Sequence, residues 1–303
     1  MRNSLSNIQQ GPFIVTGASG NLGRQVIENM LAAGAGPIIA ITRSPDKIAD
    51  LVEKGVEARK GDFNDPASLA TAFAGGNRIL IISTDDLEPG KRLAAHSNAV
   101  AAAKAAGVEH IVYTSLTDPS EGSPITFAAD HRDTEALIEA TGAAYTILRN
   151  NLYADLLLMG GGQSIAMGKH FAAAADGKTG YVSRADCARA AAAALMQETD
   201  SRTLNITGPA AVSQSDVAAI FSEISGTEIP YIAIPIDALV QAMVGNDLPE
   251  FMANVFASFD AAIAQGHLNV ASSDLEGLTG QAGQSVQDFL NENKAALLAA
   301  PQH

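Results

Sequence analysis

Short apolar runs and longer amphipathic segments alternate along the first half of the chain. Six of the runs have the length and the residue types of buried β-strands, and apolar residues recur at helical spacing between them. The predicted strands cover residues 13–15, 37–42, 56–60, 78–83, 109–114 and 144–148. This alternation predicts an α/β fold built on a doubly wound parallel sheet.

The turn after the first run contains three glycines at three-residue spacing, Gly17, Gly20 and Gly23. Gly17 lets the chain turn sharply, Gly20 lets a phosphate approach the backbone, and Gly23 lets the next helix pack closely on the sheet. A plain structural turn also uses such glycines, but the strand before them and the helix after them favour a Rossmann-type dinucleotide site. The residues predicted to bind the dinucleotide here are Gly17, Ser19, Gly20, Asn21, Leu22 and Gly23.

The second strand ends in an arginine where NAD-binding proteins usually have an acid. Asp or Glu at this point would bind the ribose 2′-hydroxyl of NAD, whereas this strand ends in Ile41, Thr42 and Arg43. An arginine suits a 2′-phosphate, and Lys47 is a candidate second cation. We therefore predict NADP(H) as the cofactor; the alternative is that Arg43 is a solvated surface residue.

Other polar residues of this half have less specific patterns. Asp62 and Phe63 follow the third strand, at the edge where open α/β sheets bind ligands, and we predict that they contact the adenine. Asp62 fits a turn or a helix cap equally well. His96 and Asn98 lie on the predicted helix 89–106, and we interpret both as packing or hydrogen-bonding residues.

After the sixth strand the regular alternation ends. The three glycines at 160–162 predict a loop, residues 181–183 a strand that enters a helix, and residues 204–206 another strand. Residues 215–298 have a mostly helical pattern.

This change divides the chain into two predicted parts. Residues 1–150 form an NAD(P)-binding Rossmann domain, and residues 151–303 form a smaller C-terminal α+β lobe that selects the substrate. The boundary is soft, since chains of this kind cross back to the main sheet.

Composition and charge exclude several classes of protein. The chain has 303 residues, of which 47% are hydrophobic and 17% charged, as is typical of a globular protein. Its formal net charge of −14 disfavours nucleic acid as a partner. Cys187 is the only cysteine, so neither an internal disulfide nor a cysteine metal cluster is expected.

Two further absences bear on location and metal binding. Residues 1–11 are polar and no run of about 18 apolar residues occurs, so we expect a cytoplasmic protein that does not enter a membrane. The six histidines show no H-x-x-x-H spacing, and no metal site is expected.

Several local strings together identify a family resemblance. They are the glycine turn, the strand end at Arg43, Tyr113-Thr114-Ser115, Arg149-Asn150-Asn151-Leu152-Tyr153, A-K-A-A-G-V at 103–108 and Y-T-I-L-R-N at 145–150. Over roughly residues 12–295 the chain resembles the NmrA-like atypical short-chain dehydrogenases. Within that family it is most similar to type 2 NAD(P)H:quinone oxidoreductases and bacterial triphenylmethane reductases.

The resemblance implies a Rossmann domain that binds NADPH through the glycine turn and Arg43, and a cleft that receives an acceptor beside the nicotinamide. Quinone reductases of this kind have a tryptophan where this chain has Leu152, which is a departure at the quinone contact. The residues assigned to the cleft and to the adjoining cofactor site are Ser83, Thr84, Thr114, Ser115, His131 and Asn150.

The chain lacks the Tyr-x-x-x-Lys pair with which many short-chain dehydrogenases protonate a carbonyl, because none of its five tyrosines has a lysine four positions later. Hydride addition to an isolated ketone creates an alkoxide that needs such an acid. Addition to a quinone, an enone or a dye-like carbocation gives a delocalised or neutral product, for which positioning can suffice. The missing pair therefore favours conjugated acceptors.

The predicted fifth helix offers one group for proton transfer. His131 has an ordinary pKa of about 6.5, which suits proton transfer near neutrality, and it fits a structural role beside Asn150 or the ribose equally well. Our candidate catalytic residues are His131, Asn150 and Tyr153.

These observations predict an NADPH-dependent oxidoreductase that passes hydride to a quinone or similarly conjugated aromatic acceptor. One alternative is a non-catalytic redox sensor of NmrA type, which binds NADP(H) and a protein partner. The other is a dehydrogenase or reductase of an aromatic alcohol or ether. The apolar helical tail fits a cover for the substrate or the contact of a homodimer.

Overall fold

The computed structural model describes residues 11–299, so almost all of the polar N-terminal segment lies outside the described residues. The predicted strands are present, with ends that differ by a few residues. Eleven strands occur in the described part of the chain: β1 (Phe13–Val15), β2 (Ile38–Thr42), β3 (Glu57–Lys60), β4 (Arg78–Ile81), β5 (His110–Leu116), β6 (Ala144–Asn150), β7 (His170–Ala172), β8 (Lys178–Thr179), β9 (Arg202–Ile206), β10 (Val212–Ser213) and β11 (Tyr231–Ala233).

Helices connect these strands and form most of the C-terminal half. Residues 11–299 contain thirteen α-helices: α1 (Asn21–Ala32), α2 (Ala49–Val52), α3 (Pro66–Ala72), α4 (Lys91–Ala105), α5 (Ala128–Glu139), α6 (Leu156–Met167), α7 (Arg184–Gln197), α8 (Gln214–Ser225), α9 (Ile236–Gly245), α10 (Glu250–Ala264), α11 (Asp274–Thr279), α12 (Val286–Glu292) and α13 (Lys294–Leu298). A 3₁₀-helix, Pro45–Ile48, leads into α2.

Seven strands form one parallel sheet in the order β3-β2-β1-β4-β5-β6-β9. In β1, Phe13 lies opposite Ile38 of β2 on one side and Arg78 of β4 on the other. The strand order reverses between β1 and β4, and open α/β sheets bind ligands at the carboxyl ends of the strands beside such a reversal. Two small sheets, β8 with β10 and β7 with β11, lie in the second half.

Successive side chains along a strand are buried on opposite faces of the sheet. Phe13 and Val15 pack into a core formed with α1 and α7, whereas Ile14 packs into a second core formed with α3, α4 and α5. Because both faces are covered, the inner strands β1, β2 and β4 are almost continuously apolar. The predicted Rossmann-type α/β fold with a smaller C-terminal lobe is confirmed.

The strand predicted at 204–206 is present as β9 and joins the main sheet beside β6. The chain therefore returns to the sheet more than fifty residues after the predicted division at residue 150. The two-part division remains a prediction, because β9 and α7 pack with the first half.

Two local predictions in the second half are wrong. Residues 160–162 lie within α6 instead of forming a loop. A Cβ on Gly161 would lie 2.6 Å from Leu297 Cδ2 and 3.0 Å from the Phe221 ring, so this glycine allows α6 to pack closely against α8 and α13. Residues 181–183 form no strand; Val182 makes only an isolated bridge to Tyr153 before α7 begins.

The C-terminal lobe has its own apolar cluster, formed by α6, α8, α12 and α13, with Phe221 and Leu290 fully buried. Helix α10 lies against a smaller cluster that includes residues of β5 and α5. This packing places α10 over the carboxyl edge of the main sheet, where it closes one side of a cavity.

Candidate active site

Hydroxyl groups tie together the strand ends at the carboxyl edge of the sheet. The Thr16 hydroxyl donates to the carbonyl of Leu80 at 3.0 Å and accepts from the N–H of Ile82 at 2.9 Å. The N–H of Ser83 donates to the Thr114 hydroxyl at 2.9 Å. These bonds fix the ends of β1, β4 and β5 relative to one another.

The glycine turn has the geometry expected of a phosphate-binding turn. Gly17 has a φ of +62°, in the left-handed region that favours glycine. A Cβ on Gly23 would lie 2.4 Å from the carbonyl oxygen of Gly17, so the helix start and the turn approach too closely for any side chain. Gly20 is the N-cap of α1 and makes no side-chain cap hydrogen bond, which leaves N–H groups of the first turn for an anion.

Polar residues at the end of β2 lie beside this turn. The hydroxyls of Ser19 and Thr42 are 2.7 Å apart, which joins the turn to β2. The next residue, Arg43, is exposed and makes no ion pair or hydrogen bond within residues 11–299. Arg24 is held by Asp50 at 2.6 Å and is not free to bind a phosphate in the same way. The geometry leaves Arg43 available for a 2′-phosphate.

The two residues predicted to contact the adenine differ in their surroundings. The Asp62 carboxylate accepts the N–H of Asn64 at 2.9 Å, so this side chain already has a role in the turn. Phe63 is partly buried against the core under β2 and β4. Its carbonyl accepts a hydrogen bond from Asn98 at 2.8 Å, and the predicted hydrogen-bonding role of Asn98 is confirmed.

A cavity of about 290 Å³ lies beyond the ends of β5 and β6. Five of the predicted site residues line it, whereas the glycine turn, Arg43, Asp62, Phe63, Thr84 and Thr114 do not. Its far wall is apolar and comes mainly from α10. The predicted residues that the structure brings together there are Ser83, Ser115, His131, Asn150 and Tyr153.

His131 is buried, with 3% of its surface exposed, and it lines the cavity. Its Nδ1 atom is 2.8 Å from the hydroxyl of Tyr113. Burial lowers the pKa of His131 well below 6.5, and the charge of Arg92 and the ring of His96 add to this effect. The expectation that His131 titrates near neutrality is therefore wrong, and the ring is neutral at pH 7.

A hydrogen-bond network assigns the proton of this neutral ring. His96 accepts the N–H of Thr84 on Nε2 at 3.0 Å, so its own proton is on Nδ1, which faces the hydroxyls of Thr134 and Tyr113. The Tyr113 hydroxyl then has one acceptor left, Nδ1 of His131. His131 consequently carries its proton on Nε2, which has no hydrogen-bond partner within residues 11–299.

His96 itself has the structural role that the sequence predicted. It is fully buried, and burial followed by the charge of Arg92 lowers its pKa to about 3. Burial also raises the pKa of Tyr113 above its usual value, so both groups stay neutral and the direction of the network is constant near neutral pH.

Asn150 and Tyr153 form the side of the cavity next to the second half of the chain. The Asn150 side chain is buried, and its Oδ1 atom has no partner in the described residues. Burial raises the pKa of Tyr153, and the Arg184 guanidinium lies 5.0 Å above its ring. An unpaired buried carbonyl oxygen indicates a ligand that donates a hydrogen bond.

Ser115 has a partner inside the protein. Its hydroxyl donates to Glu135 at 2.5 Å, and the same carboxylate pairs with Arg149 at 2.6 Å. The hydroxyl can still accept a hydrogen bond from a ligand. Its assignment to the cofactor site remains a prediction.

Sequence reasoning missed Arg92 and the aromatic residues of α10. Arg92 is buried and lines the cavity together with Phe256 and Phe259. A signal for Arg92 was present: together with His96 and Ala99 it falls on the buried face of α4 at helical spacing. A charged residue at a position where the pattern requires an apolar one indicates a special role.

The structure was searched for metal sites and for membrane-spanning helices within the described residues. In residues 11–299 no group of His, Cys, Asp and Glu side chains is arranged to hold a metal ion. Within the same residues no helix is both long and apolar enough to cross a membrane.

A doubly wound sheet, a glycine turn at a helix N-terminus and a partly apolar cavity at the same edge define a Rossmann-type dinucleotide-dependent oxidoreductase. Comparison with known proteins agrees with this class. A family model described as NAD(P)H-binding matches residues 17–198. The chain belongs to this family, and the predicted NAD(P)H-dependent oxidoreductase is confirmed at this level.

Individual relatives extend the match to almost the whole chain. Quinone oxidoreductase 2 of Escherichia coli K12 is 33% identical over 285 residues, which cover 92% of this chain and 99% of the relative. The NAD(P)H azoreductase of Xenophilus azovorans is 26% identical, over 95% of this chain and 100% of the relative. The triphenylmethane reductase of Citrobacter sp., solved with NADP(H), has a TM-score of 0.86 and 35% identity over 92% of this chain and 99% of its own. The resemblance to the NmrA-like reductases is thereby confirmed.

The neutral buried histidines predict a loss of stability in mild acid. Burial lowers the pKa of His96 to about 3, of His110 to about 4, and of His131 well below 6.5. In the unfolded chain these rings have a pKa of about 6.5, so below that pH the unfolded state binds more protons and the folded state loses stability. We expect His96 and His110 each to reduce the free energy of unfolding by about 2 kcal/mol between pH 7.5 and pH 5.0, and His131 to act in the same direction.

Urea unfolding at the two pH values measures this loss. His110→Asn is the matched variant, since it removes one titrating ring at the edge opposite the cavity and should make the decline smaller. Equal free energies of unfolding at pH 7.5 and pH 5.0 would contradict the neutral state of these rings.

Proposed function

We propose that the protein uses NADPH to reduce a quinone or a similarly conjugated aromatic acceptor by hydride transfer. The observation that carries the proposal is the cavity at the sheet edge, which has apolar walls and a neutral histidine but no Tyr-Lys acid pair. The relatives are named for the reduction of quinones, azo compounds and triphenylmethane dyes. All three are conjugated compounds, which supports a conjugated acceptor.

The residues at the sheet edge fit NADP(H). The N–H groups after Gly20 would hold the pyrophosphate, since the glycines leave the backbone uncovered there. Arg43 would hold the 2′-phosphate, and the unpaired Oδ1 of Asn150 would accept an N–H group from the carboxamide of the nicotinamide. When bound, NADPH supplies the hydride, and the protein has to orient the acceptor and exclude water.

His131 would orient the acceptor as a neutral hydrogen-bond donor. Its Nε2–H is fixed by the bond from Tyr113 to Nδ1, so the donor is present whenever the acceptor binds. A carbonyl oxygen that gains negative charge during hydride transfer accepts this bond more strongly than the oxidised acceptor does. The apolar wall of Phe256 and Phe259 suits an aromatic ring.

The same geometry weakens one alternative. A dehydrogenase of an aromatic alcohol needs a base that takes the hydroxyl proton, whereas Nε2 of His131 already carries a proton. Measurement of NADPH turnover distinguishes the proposed reductase from the redox-sensor alternative.

The formation of a homodimer stays a prediction.

Cofactor preference is tested at Arg43. Arg43→Ala removes a charged hydrogen bond to the 2′-phosphate and should weaken NADPH binding about 10- to 150-fold, with NADH binding almost unchanged. Titration calorimetry with both cofactors measures the two affinities, and Arg202→Ala, whose arginine pairs with Glu198, controls for the loss of a positive charge. An equal loss of affinity for NADPH and NADH would show that Arg43 does not bind the phosphate.

The reaction itself is tested by anaerobic loss of NADPH absorbance. We expect turnover with quinones, enones or triarylmethane dyes, and little with isolated aromatic aldehydes or ketones, which need an acid that the cavity lacks. If no acceptor is reduced while NADP⁺ and NADPH bind with clearly different affinities, the protein is a redox sensor and the proposal is wrong.

The role of His131 is tested by substitution and by pH. His131→Ala should lower kcat/KM about tenfold or more, because one oriented hydrogen-bond donor is lost, and His131→Gln should keep part of the activity through its amide N–H. His110→Asn is the control for loss of a buried histidine. Because His131 stays neutral, log kcat/KM of the wild type should be flat from about pH 6 to 8, and a break near 6.5 would assign a titrating role instead.

A further inference from the structure

Arg92 is a buried cation on the wall of the cavity. It lies near the start of α4, and only 5% of its surface is exposed. Its Nε atom donates to the carbonyl of Asp86 at 3.1 Å, and its guanidinium lies 4.5 Å above the ring of Phe127. These two contacts fix the plane of the guanidinium but leave both terminal nitrogens, Nη1 and Nη2, without a partner in the described residues.

The second buried arginine of the sheet shows what a purely structural role looks like here. Arg78 is 6% exposed, and its guanidinium donates to three carbonyls at the end of α7, those of Ala194, Leu195 and Glu198. Its donors are turned into the protein. Arg92 has one such bond, and its remaining donors belong to a side chain that lines the cavity.

No carboxylate neutralises Arg92 inside the protein. Asp85, Asp86 and Asp130 act on it only from a distance, because none forms an ion pair with the guanidinium in the described residues. Asp85 also lines the cavity, so an anionic ligand has to bind on the side of Arg92. The other titratable groups around it, Tyr113 and the rings of His96 and His131, are neutral. A buried guanidinium without a paired anion is unfavourable, which indicates that a ligand supplies the anion.

The position of Arg92 distinguishes acceptor from cofactor. The glycine turn and Arg43 lie outside the cavity that Arg92 lines, so the predicted phosphate contacts of the dinucleotide are elsewhere. Arg92 and His131 both contact the ring of Phe127, and Phe259 of α10 packs edge-on against the same ring. A ligand that reaches both would be an aromatic ring with an anionic substituent.

We infer that the acceptor is an aromatic compound that carries a carboxylate or sulfonate group, which the terminal nitrogens of Arg92 bind while the ring lies against Phe256 and Phe259. That the ligand is the hydride acceptor rests on the proposed function. That an anion binds at Arg92 rests on the geometry of the cavity alone. The net charge of −14 repels anions at a distance, so Arg92 is the local group that reverses this selection.

Binding of two matched probes tests the anion site without turnover. Calorimetry of the protein saturated with NADP⁺ compares 2-naphthoate with the uncharged 2-naphthamide. We expect the wild type to bind 2-naphthoate at least tenfold more tightly than the amide. Arg92→Gln should remove this preference and Arg92→Lys should keep part of it, since a charged hydrogen bond is lost in the first variant only.

Controls separate this role from general effects. Arg132→Gln removes an equal charge from α5, where the arginine pairs with Asp133 at 3.2 Å and does not line the cavity, and it should bind both probes as the wild type does. Thermal unfolding identifies any Arg92 variant that fails to fold. If Arg92→Gln does not fold, the preference for 2-naphthoate over 2-naphthamide is measured in Arg92→Lys, where it should be reduced but still present. Equal wild-type affinity for the two probes overturns the inference, as does an equal loss for both probes in Arg92→Gln. A similar loss of NADP⁺ affinity would assign Arg92 to the cofactor.

Turnover of two quinones separates this inference from the proposed function. The ratio of kcat/KM for 1,4-naphthoquinone-2-sulfonate to that for 2-methyl-1,4-naphthoquinone should fall at least tenfold in Arg92→Gln, because the intrinsic reactivity of each quinone cancels between the two proteins. Reduction of both quinones with an unchanged ratio overturns the inference and leaves the proposed function intact. Absence of any turnover, with Arg92-dependent binding of 2-naphthoate, overturns the proposed function and supports the anion site.

Discussion

The close approach of α1 to the turn after β1 is the constraint on which the cofactor edge depends. A side chain at Gly23 would collide with the carbonyl of Gly17, and Gly17 itself has a positive φ. With both glycines in place, the first turn of α1 presents backbone N–H groups at the end of the sheet. Since this attraction acts over a few ångströms, a strongly acidic protein can still bind an anionic dinucleotide.

Next to this edge, burial keeps three neighbouring titratable groups neutral, and one of them, His131, lines the cavity. His96, Tyr113 and His131 are neutral because a charged form would lose its hydration, and their hydrogen bonds then have one direction, from Thr84 towards His131. Arg92 keeps its charge in the same surroundings, because a guanidinium does not deprotonate near neutral pH. The cavity lining thus combines the N–H donor of His131 with the positive charge of Arg92, beside one acidic residue, Asp85.

The features that depend on residues close together in the sequence could be predicted. The six strands and the glycine turn have local patterns, and the structure has them in the predicted places. The close packing at Gly161 could not be predicted, since Phe221 and Leu297 come from distant segments. The same is true of the pKa of His131, which the packing of α4, β5 and α5 lowers, and of the position of Arg92 in the lining of the cavity.

The charges of the cavity support the proposal that the acceptor is conjugated. Hydride transfer adds two electrons and one proton to the acceptor, so a neutral acceptor becomes an anion until a second proton arrives. The cavity has no group that releases a proton near pH 7, because its histidine is already neutral and burial raises the pKa of Tyr153. It offers instead one N–H donor and a guanidinium, which stabilise negative charge without transferring a proton. An extended π-system can hold that charge until water supplies the proton, whereas an isolated alkoxide cannot.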